Sequence, residues 1–263
     1  MPKLPLAIYP PLIVLFSALA FAPIALAQQE QSADSLTLDR PVSLKLLVPN
    51  ILSDQKNIWT FPVRLTHKNV WIPTAAVVGT TAALLFLDPT EGSYFHKTQT
   101  FHSFNNAFSS NATAVGTVIA PVSLYLIGLS RKDSKMTHTA LLAGEAVANA
   151  EILTTVLKDA TKRARPASIP THNGNYWDSW YDSPGSAIKG HGGFPSGHTI
   201  AAFSVATVVA RRYGNHRWVP LVAYGLATAV GFSRLTLSSH FASDVFMGLA
   251  LGYSISRFSV LRQ

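Results

Sequence analysis

From Trp71 to the C-terminus the chain is a succession of apolar segments parted by polar loops, and this pattern restricts the fold more than any single motif. The segments cover roughly 71–87, 113–129, 139–157, 199–209, 219–232 and 245–255. Ala, Val, Leu and Gly dominate them and the alternation of a half-buried strand is absent, so each predicts a helix. The expected fold class is all-α, a bundle of about six helices. Most segments are shorter than the roughly 20 apolar residues of a bilayer span, and Glu145 and Glu151 interrupt the third. A compact periplasmic bundle and a thin membrane bundle both satisfy the pattern.

Composition narrows the classes. Hydrophobic residues make up 48% of the 263 residues and charged residues 13%, apolar for a soluble enzyme. There are 0 cysteines, which excludes disulfides, thiolate metal sites and cysteine nucleophiles. The net charge of +8 points to an anionic partner, a phosphate or a membrane surface. No lysine-rich run or basic-aromatic motif of a nucleic-acid binder is present, so nucleic acid is not an expected partner.

The N-terminal residues 1–27 read as an export signal. Lys3 supplies a positive charge, residues 12–27 are apolar, and Ala25-Leu26-Ala27 before Gln28 fits an A-x-A cleavage site. The same stretch could act as an uncleaved anchor. Residues 28–70 read as a surface or interfacial arm in which Pro41, Pro49 and Pro62 break any long helix. Residues 71–263 form the helical domain.

Three short constellations carry chemistry. Lys158 and Arg165-Pro166 end the third apolar segment. Positions seven apart return to one helix face, and Pro166 marks the expected helix end. Basic residues also simply favour a helix C-terminus. Pro195-Ser196-Gly197-His198 opens the fourth segment, where free backbone N–H groups favour an anion. An ordinary N-cap followed by a surface histidine would look the same. Ser233-Arg234, His240 and Asp244 lie between the fifth and sixth segments. The histidine and aspartate, four apart, suit a carboxylate that orients an imidazole, or a structural histidine beside an aspartate at a helix start.

Chain geometry brings these together. Two antiparallel helices of about 14 residues, each rising about 21 Å, return Arg234 to the end that holds His198. In an up-and-down bundle the third helix ends, and the sixth begins, at that same end. One pocket can then hold Lys158, Arg165, Ser196, Gly197, His198, Arg234, His240 and Asp244.

The three constellations together, in this order and spacing over 158–244, resemble the signature motifs of the type-2 phosphatidic acid phosphatase/haloperoxidase superfamily. The resemblance implies a helical bundle and metal-independent phosphomonoester hydrolysis through a phosphohistidine, with no cofactor and no metal ligands. It implies His240 as nucleophile oriented by Asp244, and His198 as the acid that protonates the leaving alcohol. Lys158, Arg165 and Arg234 become the phosphate clamp, completed by Ser196 and the Gly197 N–H. The substrate expected is a lipid phosphate, a pyrophosphate or a small soluble ester, with a membrane as partner. Related readings are a soluble periplasmic acid phosphatase, a vanadate-dependent haloperoxidase and a non-catalytic anion-binding membrane protein. The remaining histidines (His67, His96, His102, His138, His172, His216) are scattered, and His191 lies in a glycine-rich run unsuited to a regular ligand helix.

Orientation carries a conflict. If six helices span, the loops on the arm's side hold more Lys and Arg, which places the pocket outside the cytoplasm. A cleaved signal followed by six crossings places it inside. Fewer than six crossings, a periplasmic bundle or an unusual N-terminus each restore an extracytoplasmic pocket, so an exported protein of the cell envelope is expected. The aromatic loop before Phe194, with Tyr176, Trp177, Trp180 and Tyr181, reads equally as an anchored loop and as a lid or lipid-interface contact.

Overall fold

The computed structural model describes residues 40–61, 71–172 and 174–261. The export-signal reading of residues 1–27 lies outside these, as does the first part of the arm. Among the described residues eight helices of more than one turn follow one another: α1 (Leu47–Trp59), α2 (Trp71–Lys97), α3 (His102–Ala107), α4 (Ser110–Arg131), α5 (Ser134–Thr161), α6 (Gly197–Arg212), α7 (Trp218–Thr236) and α8 (Ala242–Ile255). The described residues contain no strand. The six expected apolar segments fall inside α2, α4, α5, α6, α7 and α8.

Local chemistry sets several boundaries. The Ser109 hydroxyl accepts from the Ala112 N–H at 3.2 Å to start α4, and the Asp133 carboxylate accepts from the Met136 N–H at 3.0 Å to start α5. Two helices end on a left-handed residue, α4 on Lys132 and α5 on Lys162. The arm departs from expectation. Pro49 does not break it but sits in the first turn of the 13-residue helix α1, where its missing N–H has no intrahelical acceptor to serve.

α6 is the central helix and packs against α4, α5, α7 and α8. Leu142, Ala143, Ala146, Ala150 and Leu153 of α5 meet Ile200 and Val208 of α6 in one core cluster. Phe203, Ala206 and Ala210 meet Tyr224 and Ala227 of α7 in a second. A third joins Leu84 of α2, Leu235 of α7 and Val245 and Phe246 of α8. α2, α4, α5 and α7 are long and apolar enough to cross a membrane. The lipid-length helices α2 and α4 keep most of their surface outside the bundle, including Val78, Phe86, Val118, Ile119 and Leu126. This is the distribution of a membrane protein whose polar-free exterior meets hydrocarbon.

The tightest seam lies between α6 and α8. Gly248 and Gly252, four apart on α8, press against the α6 backbone, as small residues do where membrane helices approach closely. A methyl group on Gly252 would stand 2.5 Å from the Ile200 carbonyl oxygen, a main-chain atom that cannot swing aside. Gly252→Ala is therefore expected to cost about 1–3 kcal/mol, read as a fall in Tm of the purified protein. Gly225→Ala on α7, where the added methyl meets open space, should not lower it.

Candidate active site

The three constellations meet at one end of the bundle, where α5 and α7 finish and α6 and α8 begin. Lys158 occupies the last turn of α5, but the helix stops at Thr161 rather than running to Pro166. Lys162 adopts φ 44° and turns the chain away, so Lys158 and Arg165 do not share a helix face as the spacing suggested. They reach the same pocket by separate routes. Arg165 lies in extended backbone ahead of Pro166, and its Nη2 donates to the Gly190 carbonyl at 2.8 Å. Lys158 lies against Gly192, whose φ is 83° and where a Cβ would sit 3.0 Å from the lysine's own Cβ. Glycine is required there twice over, by conformation and by space.

Ser196 precedes α6 and is fully buried, and its hydroxyl pairs with the Thr199 hydroxyl at 2.8 Å rather than capping the helix. The first intrahelical bond runs from the Ile200 N–H to the Ser196 carbonyl. The amides of Gly197, His198 and Thr199 thus keep no partner among the described residues, and the Lys158 ammonium hangs over Gly197. A helix start with free amides beside a cation is an anion site.

His240 is 2% exposed. Its Nδ1–H donates to the Gly193 carbonyl at 2.6 Å, which leaves Nε2 as the lone-pair nitrogen, without a partner among the described residues. Asp244 stands 3.6 Å from Nδ1, beyond a hydrogen bond. Its Oδ2 instead accepts from the Phe241 N–H at 2.8 Å, and its Oδ1 receives Arg163 at 2.5 Å. Burial drives the His240 imidazole well below its usual pKa, and Lys158, Arg165 and His198 add to that. It stands neutral, as a nucleophile requires.

His198 and Arg234 face each other across the α3–α4 turn. The His198 Nε2–H donates to the Ser110 carbonyl at 3.1 Å. Arg234 is fully buried, with Nη1 on the Ser110 hydroxyl at 3.0 Å and Nη2 on the Phe108 carbonyl at 2.5 Å. Desolvation pushes the His198 pKa down to about 4, assisted by Arg234, Lys158 and Arg165 and opposed by its bond to Ser110. All eight residues singled out in the sequence therefore lie at this end, although Ser196 turns its hydroxyl to Thr199 and Asp244 turns its carboxylate chiefly to Arg163.

Several contributors escaped the sequence reading. Arg163, between Lys158 and Arg165, is 2% exposed and joins three elements. Nη2 meets Asp88 of α2 at 2.7 Å, Nη1 meets Ser243 at 2.7 Å and Asp244, and Nε meets the Ser179 hydroxyl at 3.2 Å. Its plane lies over Trp180 and Phe241, at 4.6 and 4.3 Å from the ring centroids. Asp88 and Glu91 in turn accept from the Ser243 and Ala242 amides. Carboxylates thus take the opening amides of α8, while those of α6 stay free. Ionisable residues closing an otherwise apolar segment were the available signal for Asp88 and Glu91. Nothing in the sequence marks the carbonyls of Gly193, Phe108 and Ser110. The aromatic loop divides its labour: Tyr176 packs edge-on to Phe241 and Trp180 on Phe194, whereas Trp177 and Tyr181 are exposed. A cavity of about 120 Å³ between this loop and α2 touches Arg163 but none of the expected phosphate ligands.

Residues 139–263 match the family model described as the PAP2 superfamily. A Porphyromonas gingivalis protein named lipid A 1-phosphatase is 42% identical over 60 residues, 22% of this chain and 14% of that protein. Bacillus subtilis phosphatidylglycerophosphatase B is 28% identical over 138 residues, 49% of this chain and 60% of that one. The chain therefore spans less than two thirds of the length of either relative. The crystal structure of a transmembrane PAP2-type phosphatidylglycerolphosphate phosphatase from Bacillus subtilis aligns over 81% of this chain and 92% of its own, at 22% identity and a TM-score of 0.40. Residues 139–263, which begin within α5 and carry all three constellations, are thus the part of the chain that is similar to the PAP2 superfamily.

Proposed function

We propose that the chain is a membrane phosphatase that cleaves phosphomonoesters, lipid phosphates or pyrophosphates among them, through a phosphohistidine on His240 at an extracytoplasmic site. The observation that carries this is the state of His240: buried, neutral and held by Gly193 in the tautomer that points an unpartnered Nε2 into a cluster of cations. Both curated relatives bear phosphatase names, one for lipid A and one for phosphatidylglycerophosphate.

In this reading Lys158, Arg165, Arg234 and the free amides at the start of α6 hold the phosphoryl oxygens. Fixed positive groups can meet the charge that a divalent ion meets in other phosphoryl-transfer sites. The His240 Nε2 lone pair attacks phosphorus, a P–N bond forms, and the P–O bond to the alcohol breaks. His198 gives its proton to the departing oxygen. It then takes a proton from the water that attacks the phosphohistidine, which releases phosphate and restores both imidazoles. Asp244, shared with Arg163, lies close enough to stabilise the charge that develops on His240.

Burial and the surrounding cations hold His198 at a pKa of about 4, so the acid acquires its proton only when an anion offsets those cations. A dianion raises this pKa, so binding takes up protons above about 4, where the free imidazole is neutral. Inorganic sulfate, which has no proton of its own to exchange there, should show proton uptake in calorimetry across buffers of different ionisation enthalpy, and His198→Ala should abolish it.

His240→Ala should lower turnover at least about 1,000-fold and remove acid-labile phosphoenzyme labelling; normal labelling of that variant would sink the assignment. Sealed vesicles with their extracytoplasmic face outward should hydrolyse a membrane-impermeant ester without detergent. Hydrolysis that appears only after permeabilisation would reverse the orientation.

A further inference from the structure

The arm helix α1 turns a largely polar face inward, although Ile58 packs against the core. Asn50, Asp54 and Gln55 turn inward, and Asp54 is 1% exposed. Val48 and Leu52 turn outward at 66% exposure each, joined by Trp59 and, in the turn before the helix, by Leu44, with Lys45 and Lys56 exposed beside them. A helix lying on a water-soluble protein shows the opposite arrangement, its apolar stripe toward the core. The inward groups meet polar residues midway along α5, one of the four helices long enough to span. Arg40 pairs with Asp54 at 2.6 Å and also with Glu145. The Asn50 amide donates to Glu145 at 2.8 Å, the Gln55 amide to the Asn149 side chain at 2.9 Å, and the Asn149 amide to Asp54 at 3.0 Å.

Glu145, Asn149, Ile152 and Val156 follow one another at helical spacing along one stripe of α5. The arm covers the polar half of that stripe and leaves the apolar half, Ile152 and Val156, exposed. Whatever solvates Ile152 and Val156 on a spanning helix therefore continues onto the outer face of the arm. A carboxylate and an amide at such a depth need partners, and the arm supplies them while presenting aliphatic side chains outward. At 13 residues, α1 is about 20 Å long, too short to span, so it lies along α5 as a splint.

We propose that the outer face of α1 carrying Val48, Leu52 and Trp59, with Leu44 in the turn before the helix, lies against the acyl chains of the bilayer, docked there by the Arg40–Asp54–Glu145–Asn149 cluster. The inference rests on the membrane reading of α5 and is independent of the phosphatase reading. The chain has 0 cysteines, so single nitroxide labels are simple to place. Val48→Cys and Leu52→Cys, labelled in the full chain and reconstituted in phosphatidylcholine–phosphatidylglycerol vesicles, should collide with oxygen several-fold more than with an aqueous nickel chelate. They should match a label at Ile152→Cys and differ from one at Arg131→Cys, the exposed last residue of α4. Water-like collision at either arm position would overturn the proposal. So would protection from both agents, the mark of a face covered by another segment or a second copy. In a Glu145→Ala background the Leu52 label should gain mobility. An unchanged spectrum there would overturn the docking role of the cluster.

Discussion

One guanidinium holds the pocket end of the bundle together. Arg163 leaves the α5–α6 connection, crosses beneath Trp180 and Phe241, and ends between Asp88 of α2 and Asp244 of α8. Burying a cation and two carboxylates is costly, and such a cluster holds only when each donor and acceptor is matched. Here Nε and both terminal nitrogens find oxygen partners, and the aromatic planes take the faces. Loss of the guanidinium would leave two buried carboxylates on different helices uncompensated, a penalty of about 3–5 kcal/mol where one partner of a buried pair is removed. The His240 loop sits directly on this cluster, through Asp244 and the Phe241 amide.

The same end shows two helix starts put to opposite uses. At α8 the opening amides are consumed by Asp244, Glu91 and Asp88, which fixes the helix and makes its start unattractive to an anion. At α6 no carboxylate intrudes, Ser196 turns to Thr199, and Lys158 and Arg165 add positive charge. Burial is the main reason that both histidines lie below their usual pKa values, and the cations gathered around them add to it.

Much of this was legible in the sequence because it rests on side-chain types at fixed spacing. The six helices follow from apolar runs without strand alternation, and the pocket residues follow from motifs at helix ends that an up-and-down bundle must bring together. What was not legible depends on main-chain direction. A left-handed Lys162 ends α5 early, so Arg165 reaches the pocket along extended backbone rather than along a helix face. The orientation of His240 comes from the Gly193 carbonyl, a group every residue possesses, while Asp244, the evident partner by spacing, is mostly committed to Arg163. The arm was misjudged for a related reason. Proline near the start of a helix is tolerated, and an inverted polarity pattern reads as no pattern until the lipid-facing neighbour is known.

The turn at Phe108–Ser110 has a consequence for selectivity. Its carbonyl and hydroxyl oxygens already satisfy Arg234 and the His198 Nε2–H when no substrate is present. A neutral alcohol that entered would merely exchange one uncharged acceptor for another and gain almost nothing, whereas a dianion replaces the uncharged acceptors of the guanidinium with ionised ones and so forms an ion pair. In the proposed reaction this turn would act as a weak competitor at the exit for the leaving group: a charged ester would displace it, the freed alcohol would not, and product inhibition by the alcohol would be weak.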